Sequence, residues 1–161
     1  MLQLSYKHYE ALRAHGEETY PNECCGVLLG KATEGGNDVR EIVRAGNTRT
    51  DSAHNRYHIA PQELVKIQRQ ARTLGFDIVG FYHSHPDHPA QWSKTDFAEA
   101  HWLGCSYVIT SVEQGKAVLT NSFFLKGSSE EDKSFEDESI EIEIAGTSQT
   151  GEVVEIQGET A

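Results

Sequence analysis

A chain of 161 residues suits one domain. Its 14 basic and 25 acidic residues leave a net charge of −11, which argues against a nucleic-acid or anionic-membrane surface, since both need basic patches. An apolar share of only 37%, no signal peptide, no run long enough to span a membrane and an odd set of three cysteines (Cys24, Cys25 and Cys105) predict a cytoplasmic protein with free, buried thiols.

In chain order, residues 2–4 read as a short strand, and Ser5 as the N-cap of a helix over 6–18 that Pro21 closes. Glu23 follows at a loop-to-strand junction. On local sequence alone it is a solvated loop carboxylate. Residues 25–31 predict a buried strand, 33–37 a turn around Gly35-Gly36, and 39–45 the returning strand. Cys24 and Cys25 lack a cationic neighbour in sequence and read as small packed hydrophobes. Residues 47–55 are loop-like and 56–59 alternate as a short strand. Pro61 opens a helix through Leu74, with Leu64, Ile67, Gln68 and Ala71 at helical spacing and Gly75 at its end. His54 and His58 have no partner spacing and read as structural.

The stretch 77–96 carries the chemistry. Asp77-Ile78-Val79-Gly80-Phe81-Tyr82 predicts a buried strand that feeds His83. Alternate strand side chains share a face, so His83 and His85 point the same way, with Cα atoms about 6.5–7 Å apart. Two imidazoles at that separation can converge on one metal ion at about 2.0–2.1 Å. Val79 and Phe81 are expected on the histidine face, and Ile78 and Tyr82 on the other; apolar residues on both faces predict layers on both sides. Gly80 suggests a close backbone approach, and Pro86 biases His85 towards extended backbone. Ser93 reads as the N-cap of a helix over 93–102, with Asp96 at its third position, near the positive end of the helix dipole. His83, His85 and Asp96 then make three ligands. Structural zinc is usually closed by four protein ligands, whereas catalytic zinc keeps a position for water. His88 is open as a fourth ligand or as a residue facing solvent or substrate. Ser84 points away from the ligands and receives no catalytic role.

Residues 105–112 and 117–125 read as a hairpin around Glu113-Gln114-Gly115. After Lys126 the composition turns Ser/Glu/Asp-rich, so 1–126 reads as the catalytic domain and 127–161 as an acidic tail, with 127–137 as a linker. Ile140, Ile142 and Ile144 alternate with Glu141 and Glu143, which predicts a strand over 139–145 able to dock on a sheet edge. Residues 147–161 read as mostly disordered.

His83-Ser84-His85, seven residues, Ser93, two residues and Asp96 resemble the signature of the JAMM (MPN-plus) zinc metalloproteases. The resemblance runs from the N-terminus to about Leu125, and Glu23 fits the place of that family's upstream glutamate. It implies an α/β fold of the MPN (cytidine-deaminase-like) type, a curved mixed sheet flanked by helices. It implies Zn²⁺ on His83, His85 and Asp96, Glu23 as general base, and Ser93 as a stabiliser of the developing oxyanion. The compact length is most similar to stand-alone bacterial members. Their expected partner is a ubiquitin-fold or sulfur-carrier protein ending in Gly-Gly, cleaved after that tail to release cysteine or another amine. A non-catalytic zinc-binding scaffold in a protein complex stays open as the alternative, and so does a homodimer.

Overall fold

A computed structural model of the chain describes residues 1–47, 58–144 and 152–156. Two strands decide the architecture: β2 (Cys25–Thr33), whose first six residues are all buried, and β4 (Asp77–Pro86), buried from Val79 onward. Strands apolar on both faces must lie inside a sheet that is covered on both sides. Accordingly β4 sits mid-sheet, antiparallel to β2 on one edge and parallel to β5 (Ser106–Glu113) on the other. Hairpins extend the sheet, through β3 (Gly36–Ala45) beyond β2 and β6 (Lys116–Lys126) beyond β5. β1 (Leu2–Ser5) lies parallel to β3. The result is a curved, mixed sheet flanked by helices, the expected α/β form.

One helix covers each face. α1 (Tyr6–Thr19) starts where the Ser5 hydroxyl accepts the His8 N–H, and it buries Tyr9, Leu12, His15 and Gly16. Its core is shared with Leu28, Val79 and Tyr82. α2 (Pro61–Leu74) has proline in its first turn and ends at Gly75, whose φ of 77° suits glycine. It packs Ile67 and Ala71 on Val27, Leu29, Phe81 and Tyr107. The expected close approach at Gly80 is real, since a Cβ there would run into the Ser106 carbonyl of the neighbouring strand.

Four expectations need correction. Val79 packs with Tyr82 on the α1 side and Ile78 with Phe81 on the α2 side, the reverse of simple alternation. A β-bulge is the reason: Leu28 pairs with Gly80 and Leu29 with Ile78, so Val79 is an extra residue and the faces swap across it. The helix expected over 93–102 is only α3 (Lys94–Ala98), closed at Glu99. The stretch 127–137 is no linker. Asp132 accepts the backbone N–H groups of Ser128 and Ser129, and the turn so made leads into β7 (Ser134–Glu138), paired with β6. Finally β9 (Glu152–Ile156) falls inside the stretch read as disordered and pairs with β8 (Ile140–Ile144).

β8 lies parallel to β1, with Ile140 and Ile142 buried beside Leu2 and Leu4. The nine-strand order is β7-β6-β5-β4-β2-β3-β1-β8-β9. The loop read over 47–55 lies, from residue 48 on, outside the described residues, as do His54 and the first half of the strand read over 56–59, while His58 and Ile59 join no regular element. Among the described residues no helix is long and apolar enough to cross a membrane.

Candidate metal centre

The C-terminal end of β4 delivers His83 and His85 to the α2 face of the sheet, and α3 delivers Asp96 from across the loop. His83 Nε2 and His85 Nε2 are 3.1 Å apart. Asp96 Oδ2 lies 3.1 Å from His85 Nε2, and Asp96 Oδ1 lies 3.3 Å from His83 Nε2. Arms of about 2.0–2.1 Å to a tetrahedral ion put ligand atoms about 3.3–3.4 Å apart. The three separations match that edge length, with both histidines less than a tenth exposed.

The donor chemistry fits as well. His85 Nδ1 meets the Pro89 carbonyl at 2.8 Å, which orients the ring with Nε2 towards the cluster. Burial holds His83 below its ordinary pKa, as a neutral ligand. Burial also opposes charge on His85, but the hydrogen bond and charge of Asp96 outweigh it and raise the group. For Asp96, burial opposes the carboxylate, yet its contacts with His83 and His85 and the Ser93 N–H hold it well below its usual range. Two imidazole Nε2 atoms and an ionised carboxylate turned towards one point make a donor set for a cation. Among the described residues this is the one group of three His, Cys, Asp or Glu side chains gathered closely enough to hold a metal.

Asp96 owes its position to a capping box. Its backbone N–H donates to Ser93 Oγ at 3.0 Å, and its Oδ2 accepts the Ser93 N–H at 2.9 Å. The loop from His85 to Ser93 is tied down along its length. Asp87 N–H donates to the Val112 carbonyl, Ser111 Oγ–H to the His88 carbonyl, and Asn121 Nδ2–H to the Ala90 carbonyl. Asp87 also accepts the Tyr20 hydroxyl and the Gln114 N–H.

Glu23 differs from its local reading as a solvated carboxylate, being only 4% exposed. Strand pairing explains it. Cys25 is the register partner of His83, and Cys24 and Ser84 bond one step further along. The chain before β2 then brings Glu23 into the cleft that His85 lines. Glu23, His85, His88, Pro89, Gln91, Trp92 and Ser93 line one open cleft of about 370 Å³. His88 is therefore in the cleft wall and outside the ligand cluster.

Ser84 has more to do than its outward direction suggests. Its hydroxyl accepts the Cys24 N–H at 2.9 Å, which fixes the backbone next to Glu23. No local signal marks it, because the pairing joins residues 60 apart. Cys24 and Cys25 are free and buried, and burial pushes the Cys24 thiol up to about 11 and Cys25 higher still. They are packed groups, as the sequence suggests, and not nucleophiles.

Residues 5–126 match the family described as prokaryotic homologs of the JAB domain. The chain is 39% identical over 93 residues to a desampylase from Haloferax volcanii, a match covering 56% of this chain and 63% of that protein. It is 30% identical over 110 residues to a probable TtuB-protein conjugate cleaving protease from Thermus thermophilus, covering 68% of this chain and 70% of that one. The match to the desampylase thus spans less than two thirds of that relative's length. The solution structure of a Desulfitobacterium hafniense protein aligns with a TM-score of 0.74 at 29% identity, covering 88% of this chain and 92% of the other.

Proposed function

Since the chain belongs to the prokaryotic JAB family, we propose that it is a zinc-dependent peptidase that cleaves after the C-terminal Gly-Gly of a ubiquitin-fold or sulfur-carrier protein. The observation that carries this reading is the meeting of His83, His85 and Asp96, with a buried carboxylate, Glu23, in the cleft that His85 lines. Relatives described as a desampylase and as a probable conjugate-cleaving protease support the class of substrate. Three free, buried thiols fit a reducing compartment.

His83, His85 and Asp96 are the residues that would hold the ion. When bound there, zinc supplies Lewis-acid chemistry, acidifying water and polarising a carbonyl. Glu23 accepts the proton of the attacking water and returns it to the departing amine. Ser93 can serve two purposes at once. Its oxygen accepts the Asp96 N–H, which leaves its own O–H free to donate to a developing oxyanion. Tyr20, Ser111 and Asn121 keep the loop between His85 and Ser93 fixed while this happens.

A folded domain cannot enter such a cleft, but an extended tail can, and glycines pass where a Cβ would clash. A scaffold that merely held the ion would have no use for a carboxylate buried in the cleft that His85 lines. Mass spectrometry of a Gly-Gly-tailed carrier bearing a C-terminal cysteine tests the proposal. Loss of the cysteine is expected, with strong suppression when the last Gly is replaced by Val. Equal processing of the Val variant, or equal cutting of casein-like chains, would make the enzyme a general peptidase.

A further inference from the structure

The ligand Asp96 rides on a helix of five residues, too short to hold its shape alone. Its N-terminal end is closed by Ser93. Its C-terminal end is closed from outside the family-matched span. Lys133 Nζ donates to the Phe97 carbonyl at 3.0 Å and the Ala100 carbonyl at 2.8 Å, and it bonds Glu130 at 3.1 Å. The ammonium also stands 4.9 Å from the Phe97 ring centroid. Its side chain is 6% exposed, and a buried ammonium persists only where its three donors are met, as they are here. A cation under the last carbonyls of a helix suits both the dipole and the orphan acceptors.

Two residues on, Phe135 packs its ring on Phe97 and Trp92, with centroids 5.6 and 5.3 Å away. Trp92 is a wall of the cleft and precedes Ser93. The turn and strand after residue 126 therefore brace the far side of α3 and the loop that enters it.

We propose that Lys133, backed by Phe135, is a positioning residue for the metal centre, holding Asp96 at its distance from His83 and His85. This rests on the reading of Asp96 as a ligand. Lys133 touches neither metal nor substrate and acts by fixing the carbonyls that end α3.

The test uses the purified full-length chain and two metal probes. Zinc affinity is read by competition with a chromophoric chelator, and Co²⁺ coordination by its visible absorption. Lys133→Met keeps the apolar stem and removes the donors. It is expected to weaken zinc about 10–100-fold, the usual cost of losing a group that orients a ligand, and to lower the tetrahedral Co²⁺ band; Lys133→Arg restores part of both. Asp96→Ala, run alongside, should lose more. A lysine of merely structural value would lower the unfolding temperature and leave both metal readings unchanged, which overturns the proposal. If Asp96→Ala itself binds zinc like the parent, the ligand reading has failed instead. Should Lys133→Met not fold, Lys133→Gln carries the same criteria.

Discussion

His83 and His85 stand on β4, which is hydrogen-bonded along both edges and covered on both faces. Asp96 stands on α3, which has no buried residue of its own and is held by a capping box at one end and Lys133 at the other. The two histidines are placed by the sheet itself, so displacing them means breaking the core. The carboxylate is placed by a few polar bonds and can shift while the fold stands. Two candidate ligands thus come from a rigid element and one from an adjustable element.

The sharpest way to break this comparison is on the rigid side. His83→Ala is expected to take the metal content from about one ion per chain to about none. Elemental analysis of the purified variant reads this out, and parental metal content in it would remove His83 from the ligand set. Next comes the carboxylate in the cleft. Glu23→Gln keeps shape and metal but should cut turnover at least about a hundredfold, the usual loss with a general base. Activity near the parent would make Glu23 a buried carboxylate of structural use only.

Much of this arrangement was legible from the chain. Proline at position 61 and glycine at 75 bound α2 as they stand, Ser5 capped α1, and the spacing of His83, His85, Ser93 and Asp96 described the cluster. These are local signals, fixed by residues within one turn or one strand. What escaped is non-local. The bulge at Val79 depends on how β2 pairs with β4, and it exchanged the faces of Ile78 and Val79. The carbonyls at the early end of α3 are met by Lys133, more than 30 residues away. Composition alone hid β7, because Ser, Glu and Asp dominate a stretch whose one aromatic, Phe135, joins it to the core.

Smaller effects sharpen the same contrast. Ser84→Ala should cost about 1–3 kcal/mol by leaving the buried Cys24 N–H without its acceptor, and it should lower turnover through Glu23 while the metal stays bound. Chemical denaturation and metal analysis together check it. A variant as stable and active as the parent would leave Ser84 as filler. A further effect, away from the metal centre, lies under the sheet, where the His15 ring bonds the Tyr82 hydroxyl at 2.7 Å. Burial first, and then the charge of Arg44, lower His15 from its ordinary 6.5 to about 4. The unfolded chain binds the extra proton between those values, so this contribution is complete above about 6.5 and fades as pH falls towards about 4. Denaturation midpoints across that window should slope downward with acid, and His15→Gln should flatten the slope.

The most direct measurement strips the full-length protein of metal and returns zinc in steps while cleavage of a Gly-Gly-tailed carrier is followed by mass spectrometry. No cleavage is expected from the stripped protein, with activity rising linearly and levelling at about one zinc per chain. Undiminished cleavage by the stripped protein would contradict a metal-dependent peptidase built on His83, His85 and Asp96.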